Sequence, residues 1–272
     1  MGEPIEEDVV SEPSRVLTGV DASKPNAARV YDYVLGGGDN YAVDRAFAEE
    51  MLTIAPDNRA LARYSRQFLL QAVALAADAG VRQFIDLGAG IPNSPNVHEV
   101  AQKIDPSARV VSIDYDPVVY AYANAYLSGA PGVTSMLADV RDPDDIIDRL
   151  REQALIDFDQ PVAILLVGVL HFVMDDEHPA EIIARLRSVM VSGSYLVFTH
   201  VSDESDHAFI SQSKVHTAGS SAQGAFRSRA EMASYFDGFE FLAPGLVPVQ
   251  HWLDSEAPAT KVVILGGVCR MP

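Results

Sequence analysis

Phe84-Ile85-Asp86-Leu87-Gly88-Ala89-Gly90 is an apolar run that ends in an acid and two glycines. Read as a buried strand near 82–88, it closes where the backbone can turn tightly and approach a ligand, because glycine tolerates conformations closed to other residues. In open α/β sheets ligands sit beyond the carboxyl ends of the strands, so this ending marks a nucleotide-type site. Every other strand ending with a polar residue gains weight from it.

Further runs of this kind lie near 109–115, 133–139, 162–168, 194–201, 239–243 and 261–268, alternating with helical stretches near 95–104, 116–128, 143–153, 178–190 and 228–236. That alternation predicts an α/β fold with a Rossmann-like, doubly wound, mostly parallel seven-stranded sheet and helices on both faces. The first four strands are nearly continuous apolar runs, such as Val162-Ala163-Ile164-Leu165-Leu166-Val167, as expected where both sheet faces are covered. Upstream, Leu61, Tyr64, Phe68, Leu69, Val73 and Leu75 give residues 57–79 helical spacing, with Gly80 as a stop. Arg29 to Tyr41 reads as a short helix running into Gly36-Gly37-Gly38. The chain therefore divides into an acidic mobile tail (1–20), an N-terminal helical cap (21–80) and the main domain (81–272). The stretch Ser202 to Arg227 is too long for a simple connection and reads as a helical insertion or lid.

At 272 residues, with 48% hydrophobic and 21% charged residues, the chain has the balance of a protein with a sizeable core. The apolar run Pro161 to Met174 is shorter than the roughly 20 residues a bilayer needs. The acidic N-terminus lacks the apolar block of a secretory signal. Cys269 stands alone, which excludes an internal disulfide and a multi-cysteine zinc site. A net charge of −18 repels a phosphate backbone and disfavours DNA or RNA. The expectation is a cytoplasmic protein acting on a small molecule, with no nucleic acid and no membrane as partner, and with a homo-oligomer left open.

The second strand ends in Asp114, 24 residues after Gly90, where a carboxylate can accept both hydroxyls of a ribose. The third runs to Asp139-Val140, an acid beside an apolar residue, suited to the edge and face of an adenine. Each Asp alone would read as a helix cap or turn former. Three at one rim make capping an insufficient account.

This arrangement resembles the class I S-adenosylmethionine-dependent methyltransferases, whose first motif is acid-x-Gly-x-Gly and whose second and third strands end in cofactor-binding acids. The resemblance implies S-adenosyl-L-methionine as cofactor. Asp86, Gly88, Ala89 and Gly90 would surround its methionine part, together with Gly168 and Val169. Asp114 would take the ribose, and Asp139 and Val140 the adenine, with Tyr115 stacking on it. One departure is Pro92, where many relatives carry a third glycine; it stiffens the loop, and Asn96 and Glu99 then have capping-box spacing for the next helix.

Arg29-Val30-Tyr31-Asp32-Tyr33 with Gly36-Gly37-x-Asp39-Asn40, Pro95 to Gln102, and Pro244 to Val249 are similar to a narrower actinobacterial S-adenosyl methyltransferase family formerly classed as a domain of unknown function. That likeness implies a cap over the cofactor in which Tyr33 and Asn40 contact it.

His171, after the fourth strand, and His200, at the end of the fifth, are the candidates for a general base or substrate ligand. No His pair has the i, i+4 spacing of a zinc helix, so no metal is expected. Arg59, Arg63 and Arg66 share a helix and read as a solvated face. Methyl transfer to O, N or C of a small molecule is the leading function. A binding regulator that has lost transfer chemistry is the alternative. An NAD(P)-dependent oxidoreductase is disfavoured because the third glycine of Gly-x-Gly-x-x-Gly falls at Asn93.

Overall fold

The computed structural model describes residues 23–218 and 222–272; the tail at 1–20 lies outside the described residues. Five parallel strands form the centre: β1 (Gln83–Leu87), β2 (Arg109–Asp114), β3 (Val133–Leu137), β4 (Ala163–Leu166) and β5 (Tyr195–Val201). Strands β6 (Glu240–Phe241), β7 (Val247–Pro248) and β8 (Ile264–Arg270) complete the sheet. The order is β3-β2-β1-β4-β5-β8-β6, with β7 also on β8. β8 runs antiparallel to β5, β6 and β7.

Among the described residues the sheet thus has eight strands rather than the seven expected. The additional one, β7, is two residues long and contains Pro248, so it carries no alternation to read. β4 stops at Leu166, earlier than expected, because Gly168 takes a left-handed φ of 78° and leaves the ladder.

Side-chain alternation divides the apolar residues into two cores. Ile85, Leu87, Val111, Ile113, Ile164, Leu166, Leu196 and Phe198 pack in one. Helices α6 (Pro143–Glu152), α7 (Pro179–Arg187) and α9 (Arg229–Tyr235) supply Ile147, Ile183 and Met232 to that face. Phe84, Val110, Ala163, Leu165 and Val197 face the other way, against Phe68 of α3 (Asn58–Asp78), Val97 of α4 (Val97–Ile104) and Phe209 of α8 (His207–Thr217). By the same parity Asp86 and Asp114 project to the α3 side. α5 (Pro117–Leu127) follows β2 directly.

The N-terminal part holds two further helices, α1 (Ala27–Leu35) and α2 (Ala42–Ile54). The buried Arg29 guanidinium donates through Nε to Asp44 at 2.7 Å and lies over the Tyr41 ring, which pins α1 to the start of α2. Asn26 caps α1, its Oδ1 accepting from the amides of Ala28 and Arg29 at 3.0 and 3.1 Å. Its Nδ2 donates to Asp116, two residues beyond the end of β2. Tyr126 on α5 reaches Asp39 at 3.3 Å. These contacts seat the N-terminal helices beside the carboxyl end of β2. In the 202–227 stretch, α8 pairs His216 with Glu50 of α2 at 2.9 Å, so the insertion and the N-terminal helices touch.

Candidate functional site

The chain passes outward through β1, β2 and β3, then returns to β4 on the other side of β1, so the sheet's switch point lies between β1 and β4. That crevice is where the α/β architecture places a ligand. Gly88 and Gly90 both stand at φ 68°, in the left-handed region. The amides of Gly88 and Ala89 donate to the Ile113 carbonyl at 2.8 and 3.1 Å, folding the loop across β2. A Cβ on Gly88 would stand 2.4 Å from Val169 Cγ2, whereas a Cβ on Gly90 or on Gly168 would meet nothing within 4 Å. The loop is therefore closed against β4 at Gly88 and open at Gly90.

The three acids sit in three different environments. No donor among the described residues hydrogen-bonds the Asp86 carboxyl, and burial raises it to about 7, with Arg66 pulling down and Asp114 pushing up. Asp114 is engaged at both oxygens, by the Gly90 amide at 2.9 Å and the Asp116 amide at 3.0 Å. Burial still holds its carboxyl above the ordinary value. Asp139 lies just past β3 in a bidentate clasp with Arg141, whose Nε is 2.9 Å away. Burial works to raise this carboxyl, but the hydrogen bonds from Arg141 outweigh it and leave it lowered. Arg141 also donates to Glu177 at 2.9 Å and lies 5.6 Å from the centre of the half-exposed Tyr115 ring. Val140 packs beside this clasp against the α6 side core.

Beyond β4, the Gly168 amide donates to Thr199 Oγ1 at 2.8 Å. His171 then falls on a short 3-10 helix, Leu170–Phe172. Its Nδ1 is buried with no hydrogen-bond partner among the described residues, and burial together with the Arg227 charge lowers its pKa to about 4. The ring is neutral at pH 7. His200 is fully buried 6.0 Å away, with both nitrogens occupied. Nδ1 lies 2.6 Å from the Val201 carbonyl, so it carries the proton, and Nε2 accepts from Arg227 at 2.9 Å. The expected pairing of the two imidazoles is present, but His200 has no lone pair left for a substrate. Its pKa falls to about 3 through burial, His171 and Arg227.

Arg227 escaped the sequence reading, where it only ended the insertion. It is 2% exposed and donates to the carbonyls of Leu170 (3.2 Å) and Val173 (2.7 Å) and to Asp175 (2.7 Å). An arginine directly after Phe226, at the close of a long insertion, was the available signal. The Ala225 amide, in the same segment, donates to the His171 carbonyl at 2.7 Å.

Tyr33 and Asn40 are engaged inside the N-terminal helices. The Tyr33 hydroxyl donates to Glu49 at 2.7 Å. The Asn40 amide donates to Asp32 and to the Gly37 carbonyl, and its oxygen accepts from Arg45. Asn40 thus shapes the loop, and Gly37 is required there because a Cβ would overlap the Asp32 carboxyl. Arg66 departs from the solvated face expected of it: its Nη2 donates to the carbonyls of Asn93 and Pro95, the latter at 2.6 Å. Asn96 and Glu99 form the expected capping box. Among the described residues no group of three or more His, Cys, Asp or Glu is arranged to hold a metal, and no helix is long and apolar enough to cross a membrane.

A family described as S-adenosyl methyltransferase matches residues 14–272. A crystal structure of a DUF574-family protein from Streptomyces avermitilis MA-4680 is 33% identical, with a TM-score of 0.86 over 93% of this chain and 99% of that one. A protein of Thermobifida fusca YX, provisionally named a methyltransferase, is 35% identical with a TM-score of 0.85, covering 93% of this chain and 97% of that one. No functionally curated protein matches the sequence.

Proposed function

This chain belongs to the S-adenosyl methyltransferase family, and from that premise we propose that it methylates a small-molecule acceptor beside His171, with the cofactor laid across the ends of β1, β2 and β3. The observation that carries the placement is the set of Asp86, Asp114 and Asp139 on three neighbouring strand ends around an open Gly90. The residues fit the group. Asp114, fixed by two backbone amides, keeps lone pairs for the ribose hydroxyls. Asp139 and Val140 would meet the adenine edge, and Tyr115 its face. Gly168 and Val169, with Gly88 and Ala89, would border the methionine part.

S-adenosylmethionine, when bound, supplies an electrophilic methyl on a sulfonium. The protein's share is alignment and exclusion of water, which suit transfer from a cationic donor. His171 is neutral and offers an unpartnered Nδ1, so it would accept a hydrogen bond from the acceptor's O–H or N–H and orient its lone pair. With a pKa near 4 it is a weak base, and orientation rather than proton abstraction is the role its surroundings favour. His200 would hold Arg227 and the 170–175 segment in place. Tyr33 and Asn40 would act by shaping the N-terminal cap, and the insertion would close over the acceptor. The net charge of −18 supports a small molecule over a nucleic acid, and a cytoplasmic location goes with this reading.

Calorimetric titration with S-adenosylmethionine, S-adenosylhomocysteine and NADH tests the placement. Binding of both sulfur compounds, abolished in Asp114→Ala, is the expected outcome. NADH binding with no response to either would refute it. Release of label from methyl-labelled cofactor in the presence of small-molecule extracts tests transfer.

A further inference from the structure

The segment that carries His171 runs through two single-turn 3-10 helices, Leu170–Phe172 and Asp175–Glu177. Turns this short have poor hydrogen-bond geometry, so their placement depends on what grips them. Among the described residues two arginines from distant parts of the chain do so. At the near end the buried Arg227 donates to the Leu170 and Val173 carbonyls and to Asp175. At the far end Arg141 donates through Nη1 to Glu177 Oε1 at 2.9 Å, while Glu177 Oε2 accepts the Met174 amide at 2.7 Å. Arg141 is also the residue whose Nε and Nη2 clasp Asp139. One guanidinium therefore spans two carboxylates, one just past β3 and one on the His171 segment. Arg141 is 42% exposed and Glu177 28% exposed, and an ion pair of that kind braces a fold only weakly. A weak link can be biased by a ligand at either end.

We propose that Arg141 is a positioning residue that ties the His171 segment to the adenine end of the cofactor site, so that a seated cofactor and the imidazole are held in one register. This rests on the cofactor placement proposed above. An adenine held at Asp139 and Val140 would fix the short turn on which Arg141 stands. An arginine whose base no longer moves loses less freedom in pairing with Glu177, so that contact tightens when the cofactor arrives. Glu177 passes the effect on through the Met174 amide, three residues from His171. The coupling is reciprocal: order in the 170–177 segment raises cofactor affinity by the same factor.

The test is hydrogen exchange of the full chain with and without saturating S-adenosylhomocysteine. In the wild type the ligand is expected to slow exchange across 170–177 by about two- to fivefold, the range of one half-exposed ion pair. Glu177→Gln, which leaves Asp139 and Arg141 in place, is expected to abolish that slowing. S-adenosylhomocysteine should still bind it, within about fivefold of the wild type, as reciprocity requires. Arg141→Met is expected to act the same way from the other end of the bridge, and it carries the test if Glu177→Gln does not fold. A merely structural role would instead raise exchange in 170–177 and leave the slowing by ligand intact, which overturns the proposal. Slowing that survives unchanged in the variants also overturns it, since the ligand then reaches the segment without Arg141. Wild-type binding that leaves 170–177 unchanged overturns the coupling alone. If S-adenosylhomocysteine does not bind the wild type, the cofactor placement itself fails and the coupling with it.

Discussion

The Val169 Cγ2 methyl lies 2.4 Å from the point a Cβ on Gly88 would occupy, so the ends of β1 and β4 interlock where the strand order reverses. Gly88→Ala must therefore push Val169 aside and strain a left-handed backbone at once. The expected cost is roughly 1–3 kcal/mol. Adding Val169→Ala should recover part of it in chemical denaturation; no recovery would show that the backbone strain alone is responsible.

Asp114 accepts the amides of Gly90 and Asp116, so its removal has two separable effects. Asp114→Ala should lower stability by about 1–3 kcal/mol, since buried donors lose their acceptor. S-adenosylhomocysteine binding should disappear while the circular dichroism spectrum stays folded. Normal binding in this variant would sink the ribose assignment.

Asp86, raised from an ordinary carboxyl value of 3.8 to about 7, makes stability depend on pH. The folded state holds the proton more tightly than the unfolded one, so this contribution is fully present below about pH 4 and is lost as the pH climbs through about 7. Asp86→Asn cannot ionise. Its melting temperature should match that of the wild type near pH 4 and exceed it increasingly toward pH 8. A difference that stays constant with pH would argue against the raised value.

Arg227 supplies the hydrogen bonds of the Leu170 and Val173 carbonyls and of His200 Nε2, all buried. Arg227→Met leaves them unsatisfied, with a cost on the order of 3 kcal/mol or more. It also removes a positive charge that holds His171 and His200 neutral, so both imidazoles should titrate at higher pH in NMR spectra. Unmoved imidazole titrations would leave burial, joined at His200 by its neighbour His171, as the cause of their low values.

Asn26→Ala removes the α1 cap and the link to Asp116 together. The capping loss is about 1 kcal/mol. Hydrogen exchange should rise in α1 and the following glycine loop while β1 to β5 remain protected. A uniform rise across the sheet would show that α1 is not a separable unit.

The central strands were legible because both of their faces are covered, which writes them as unbroken apolar runs of the length of Val162 to Val167. β7 was not, since two residues carry no period, and α2 was not, since Tyr41 stands at its N-cap in place of a Ser, Thr, Asp or Asn signal. The three strand-end acids were visible as residues, but their differences were not. The fold brings the Gly90 amide onto Asp114 and leaves Asp86 with no donor among the described residues, while Arg141 turns back onto Asp139 from two residues away. Arg66 and Arg227 were hidden for the same reason: a charge, whether on α3 or just ahead of α9, reads as solvated until the segment it covers is known. Asn40 looked like a ligand contact because its amide has free valences in sequence, and the Asp32 carboxyl, the Gly37 carbonyl and Arg45 take them in three dimensions.

β5 finds its second neighbour only in β8, from Val201 paired with Ile264 to Tyr195 paired with Arg270. During synthesis the five parallel strands are complete long before that partner leaves the ribosome. For this interval the nascent chain shows a bare, apolar strand edge, the kind of surface on which chains stick to one another.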